Sequence, residues 1–212
     1  MAVYTQVSVL YADIQKYMDR NEDSIVAKIP LWVRMAEGEL DRRLRHPASQ
    51  VIYNYPLVTG SQELEAPRQL TELRSIRITS NPEALQRRSP EELYRGPFYK
   101  EEPEAFASVG NKYILNKPVE KDTTFEFVYY TTPIPLSVEN SSNLYLDACG
   151  DILLYMALSL GFAYDNNQAE SAYWRQMAEA ALESLQTQIK QEAMSGSTFV
   201  NFANTDFLTT YF

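Results

Sequence analysis

Side chains for catalysis are scarce in this chain of 212 residues, which has one histidine, His46, and one cysteine, Cys149. A lone cysteine excludes an internal disulfide, and one residue of each kind excludes the usual zinc ligand sets. A Ser-His-Asp or Cys-His site would have to use His46, and no pattern in the sequence points to its partners. The seven glycines lie scattered at positions 38, 60, 96, 110, 150, 161 and 196. That excludes a phosphate-binding loop and a dinucleotide fingerprint. No apolar run approaches the roughly 20 residues that span a bilayer, and the start MAVYTQVSV has no charged leader region, so no membrane contact is expected. Basic charge is also short: 19 Lys and Arg against 28 Asp and Glu, a net charge of −9. Such a chain lacks the electrostatic footprint of a protein that grips DNA. The acid pairs Glu91-Glu92 and Glu101-Glu102 fall beside prolines and read as solvated loop charge. Asp151 reads as an acid at a helix start. No catalytic residue, metal or cofactor is assigned.

Aromatic side chains are plentiful, with 15 Tyr, 9 Phe and 2 Trp. Tyr is amphipathic and common at protein interfaces, although it lines cores as readily. Acidity is uneven. From Asn143 onward Arg175 and Lys190 are the only bases, against eight Asp and Glu. Glu170, Glu179 and Glu183 fall on the polar face of the last predicted helix. An acidic face of this kind either keeps a protein soluble or lines a conduit through which DNA slides without sticking.

The pattern changes twice along the chain. Val7, Leu10, Tyr11, Ile14, Tyr17 and Met18 recur at helical spacing over residues 4–18. A second helix runs to about His46, where Pro47 stops it, with Ser24–Ala27 as a possible first turn. Ten of the eleven prolines then lie between Pro47 and Asn143. Short alternating runs at Val51–Leu57, Leu73–Ile78, Lys112–Asn116 and Thr123–Tyr130 predict an antiparallel β region, with one short helix near Pro90–Arg95. Its edges carry Arg, Lys and Pro, which discourage indiscriminate pairing. Helical spacing returns from Asp147 to about Phe162, apolar nearly all round, as for a helix buried in a bundle or an oligomer. A last helix is predicted from Gln168 to about Met194, ending at Ser195-Gly196-Ser197. Cys149 reads as a small buried residue. The remaining residues hold five aromatics, no Lys or Arg and one acid, Asp206. They suggest an extended arm that docks on another surface or folds back as an edge strand. Phe199, Val200, Phe202, Phe207 and Leu208 are its expected anchors.

The expected fold is therefore α+β. Residues 1–46 and 143–194 form a helical bundle, 47–142 a β-rich insertion with a small antiparallel sheet, and 195–212 an extended C-terminal arm.

One segment is more specific than its periodicity. IPLWVRMAEGELDRRLRH (Ile29–His46) places Pro30 at a helix start and Trp32, Val33, Ala36, Leu40 and Leu44 on one face. Arg34, Glu37, Asp41 and Arg45 are read on the polar face at ion-pair spacing. The pattern I-P-x-[WF]-[IV]-x-x-A-E-x-x-L-x-R-x-L-R resembles the opening of head-to-tail adaptor proteins of tailed bacteriophages. Leu70–Ile78, Ser89–Arg95, Thr123–Ser137 and Tyr145–Leu185 resemble that family's later segments in the same order. The resemblance spans roughly residues 25–195.

It implies a structural virion protein of the neck, between capsid portal and tail, assembled in the bacterial host cytoplasm. The expected assembly is a homo-oligomeric ring, commonly a dodecamer, beneath the portal protein. The ring would extend the DNA channel without sequence-specific binding and give the tail tube or nozzle protein a docking platform. It implies neither catalysis nor a cofactor. Another neck or tail-completion subunit, and a small enzyme with an unrecognised site, are the alternatives.

Overall fold

Pro30 does sit in the first turn of a helix, where its missing N–H costs nothing. In the computed structural model, which describes residues 4–95 and 101–204 and side chains up to residue 192, that helix is α3 (Ile29–Arg43). It follows α1 (Val7–Met18) and the single turn of α2 (Asp23–Val26). A 3-10 turn at Pro47–Ser49 leads to seven strands. These are β1 (Gln50–Leu57), β2 (Glu63–Glu65), β3 (Leu70–Ile78), β4 (Gln86–Arg88), β5 (Ala105–Val109), β6 (Lys112–Leu115) and β7 (Thr123–Thr131). The chain then returns to helix in α4 (Leu144–Tyr164) and α5 (Gln168–Asn204). The fold is α+β.

The chain divides into two compact units, residues 1–47 with 133–212, and residues 48–132. In the first, α4 packs against α1, α3 and α5. The apolar faces of α1 (Val7, Leu10, Ile14, Met18) and α3 (Ile29, Trp32, Val33, Ala36, Leu40) meet a helix buried on nearly every side. Two glycines of α4 permit close approach. A Cβ on Gly150 would lie 2.8 Å from Tyr4 Cδ2, and one on Gly161 would lie 2.7 Å from Met18 Sδ. Asn143 caps α4 by accepting from the Tyr145 and Leu146 N–H groups. The helical geometry is broken at Cys149, whose φ is −148° and ψ 41°.

In the second unit two small sheets share one core built on Phe125, Phe127, Ile76, Ile78, Leu64 and Leu115. One sheet has the order β1-β7-β3 and the other β2-β6-β5-β4. Odd-numbered residues of β7 face this core, opposite Tyr53, Tyr55, Ile76 and Ile78. Gly110, at φ 62°, turns β5 into β6.

Five sequence expectations need correction. The β region is not wholly antiparallel, because β4 pairs β5 in parallel from Gln86↔Ala105 to Arg88↔Ala107. Residues 90–94 form successive turns rather than a helix. Their bonds run Glu92 N–H to Ser89 O and Arg95 N–H to Glu92 O, so no i→i−4 ladder starts. The edge strands β3 and β4 carry Arg74, Arg77, Arg87 and Arg88 as expected, but β1 has only Pro56 and β2 has no Arg, Lys or Pro. The helix α5 passes through Ser195-Gly196-Ser197 to Asn204, since one glycine inside a helix costs only about 1 kcal/mol. Finally, α4 has the length and hydropathy of a membrane span, against the expectation of no such run; most of that window is buried inside the chain, as in a core helix.

Candidate functional site

The residue types that could do chemistry are kept apart or engaged. Among the described residues no three His, Cys, Asp or Glu side chains gather as for a metal. His46 is half-buried just beyond the end of α3 and has interactions of its own. The Cys149 thiol is buried, and burial, reinforced by the Asp151 charge, pushes its pKa up to about 12. It stays a thiol at neutral pH. Glu102 pairs with Lys121 at 3.5 Å.

The polar chemistry that does converge lies on α3, where one expectation fails. Glu37 is 1% exposed, not on a solvated face. It accepts hydrogen bonds from the Leu136 N–H at 3.0 Å and from Asn143 Nδ2 at 2.7 Å. Arg34 approaches it at only 3.8 Å. Burial raises the Glu37 pKa, opposed by these donors and by Arg34. The same Asn143 amide also donates to Ile134 O at 3.0 Å, and the Val7 N–H donates to Ser141 O at 2.7 Å. Residues 133–143 are thus tied to the helices, with Glu37 as the central acceptor. One turn on, Asp41 accepts from the Tyr145 hydroxyl at 2.7 Å. The signal for Glu37 was available: it follows Val33 by four residues and precedes Leu40 by three, so it borders the buried arc.

A second polar group joins α3 to α5. Arg43 contacts Glu39 at 2.7 Å and Glu179 at 2.5 Å, while Arg175 contacts Glu39 at 2.5 Å and Glu179 at 2.9 Å. Arg43 holds Glu179 below its ordinary pKa. Of the three acids expected to face a channel, Glu179 is therefore engaged inside the subunit, while Glu170 and Glu183 are exposed. Ser159 of α4 and Ser171 of α5 exchange hydroxyl-to-carbonyl bonds of 3.0 and 2.9 Å.

One group of aromatic residues gathers at α5, and another, with Tyr55, Phe106, Tyr113 and Phe127, lies in the β unit. Trp174 stacks on Tyr155 at 5.7 Å and meets Tyr17 edge-on at 5.6 Å. Its indole Nε1 is buried with no hydrogen-bond partner. The expected arm anchors divide between two settings. Phe199, Val200 and Phe202 belong to the backbone of α5, but their side chains, like all of Phe207 and Leu208, lie outside the described residues.

The chain matches a family model described as SU10 adaptor protein over residues 5–200. No curated protein matches it.

Proposed function

The chain belongs to the SU10 adaptor protein family, a family of phage head-to-tail adaptors and a structural rather than an enzymatic class, and from that premise we propose that it forms a ring in the virion neck. The observation that carries this reading is a match running from residue 5 to residue 200, through both units. The ring sits beneath the portal protein, in twelve copies, and extends the DNA channel toward the tail. Its lower side gives the tail tube or nozzle protein a platform. DNA passes without sequence-specific contact, in keeping with a net charge of −9. The portal contact is assigned to the last turns of α5 and the residues beyond, with Phe199, Val200, Phe202, Phe207 and Leu208 as anchors. The aromatic composition of that segment, with no Lys or Arg and Asp206 as its one acid, supports the assignment.

A cryo-electron map of the particle neck tests the reading. A multi-copy ring of this chain between portal and tail is expected. Location elsewhere in the particle, as for a tail-completion subunit, overturns it. Truncation after Met194 tests the portal contact: the helical circular dichroism signal falls by no more than the removed residues supply, and binding to purified portal is lost. Undiminished portal binding overturns that assignment.

A further inference from the structure

Two helix faces in the first unit are left uncovered by the chain's own packing, and they differ in charge. On α3, Leu31 and Met35 are each 50% exposed, and the exposed Arg34 and Arg42 lie beside them. Residues 31, 35, 38 and 42 follow one helical stripe, on the side opposite the buried Trp32, Val33, Ala36 and Leu40. Arg42 makes no ion pair among the described residues, and Arg34 has only its 3.8 Å approach to Glu37. On α5, Tyr173 is 54% and Met177 38% exposed. The exposed Glu170 lies one turn before Tyr173 on the same stripe, and the exposed Glu183 lies on the other flank of the open side, about a turn and a half beyond Met177; neither carboxylate is paired among the described residues.

Gly38 supplies an independent observation. It lies inside α3, where glycine weakens a helix relative to alanine. A Cβ at this position would meet only Arg42 Nη1, at 3.8 Å, an ordinary contact. Nothing in the chain's own packing asks for a glycine. Close approach of a second backbone does.

We propose that the basic and apolar face of α3 docks on the acidic and apolar face of α5 in a second copy of this chain. Leu31 and Met35 meet Tyr173 and Met177 at the centre. Arg34 and Arg42 meet Glu170 and Glu183 at the rim, and Gly38 marks the closest approach. The apolar centre supplies the adhesion, while the rim charges select partner and register. Because the two faces differ, the contact is heterologous, and each copy keeps one face open for the next; such a contact gives a ring where the rotation between copies closes, as the ring reading requires. The inference rests on the ring reading, and it turns Glu170 and Glu183 toward a neighbouring subunit rather than the DNA channel.

Charge reversal tests it through complementation. One full-length variant carries Arg34→Glu with Arg42→Glu, and another carries Glu170→Lys with Glu183→Lys. All four positions are exposed on helices; because Arg34 also approaches Glu37 at 3.8 Å, Arg42→Glu alone, which leaves that pair intact and should match wild type by circular dichroism, is run beside the double variant and should also fall in incorporation. Each variant is supplied alone, or both together, to cells assembling particles, and subunits per particle are counted by quantitative mass spectrometry. Alone, each variant should fall at least tenfold in incorporation. Together they should return to within twofold of wild type in equal amounts, because each variant's altered face complements the other's. Wild-type incorporation of either variant alone, or no recovery in the mixture, overturns the pairing of α3 with α5. Wild-type chain present at a single copy per particle overturns the ring reading itself.

Discussion

The last two helices pack against each other yet treat their surfaces in opposite ways. In α4 almost every side chain from Ile152 to Leu158 is buried within the subunit, with Tyr155 half-buried against Trp174. In α5 one side is closed by Ala178, Leu182 and the half-buried Leu185 and Ile189, while the other leaves Tyr173 and Met177 in solvent. An all-apolar helix in a sequence suggests surplus surface for partners, but here α4 is consumed by its own fold. The surface left over belongs to the amphipathic helices. The apolar residues that matter for assembly are therefore those found on a polar face, not those in the densest apolar run.

The largest effect should come from α4. Leu153 is fully buried, so Leu153→Asp places an unpaired carboxylate in the core and should cost more than about 4 kcal/mol. Thermal unfolding followed by circular dichroism should show no folded baseline at 25 °C, and a cooperative transition near the wild-type midpoint would refute the account of α4.

Glu37 comes next. Glu37→Ala leaves the buried Leu136 N–H and the Asn143 amide short of an acceptor, a loss of about 1–3 kcal/mol by urea titration. Its pKa is raised in the folded state above the ordinary value of 4.5. The native state therefore holds the proton more tightly, and this contribution is full below the ordinary value and lost as pH rises through the raised one. Between those limits wild type should lose stability with rising pH relative to Glu37→Gln. Parallel curves for the two proteins would contradict a raised pKa.

Two matched substitutions then separate a covered helix from an open one. Gly150→Ala drives a Cβ to 2.8 Å from the Tyr4 ring and should cost about 1–3 kcal/mol. Gly38→Ala meets only an ordinary 3.8 Å contact with Arg42 Nη1 and should instead raise the stability of the free subunit by about 0.5–1 kcal/mol. Thermal midpoints moving in the same direction for both would erase the distinction.

Legibility in the sequence follows the clarity of each periodic pattern: the short β6 alternates and reads as a strand, while the longer β5, buried at three successive residues from Ala105, does not. The buried face of α3 was readable as Trp32, Val33, Ala36, Leu40 and Leu44, because apolar spacing reports burial directly. The longer strands β1, β3 and β7 were readable from alternation between prolines. β2 and β4, three residues each, are too short to show a period, and Gln86–Arg88 becomes a strand only because β5 lies beside it. Glu37 was misplaced because its burial depends on donors from Leu136 and Asn143, a hundred residues further on. Periodicity places Glu179 on the polar face of the last helix but cannot show its pairing with Arg43, which is likewise a tertiary event. The five segments in their order carry the family, whereas Leu31 and Met35, set among polar neighbours, show no pattern that marks them as exposed.

The register of β1 against β7 has a further consequence. Gln50 lies opposite Tyr130, so the two ends of the β unit leave the chain as antiparallel neighbours, about 5 Å apart. Residues 48–132 therefore behave as a cassette plugged in at a single point between α3 and the segment leading to α4. A cassette with adjoining ends can be enlarged, trimmed or exchanged without lengthening any connection in the helical unit. That arrangement lets the β unit change in length while the helical unit keeps the same chain path.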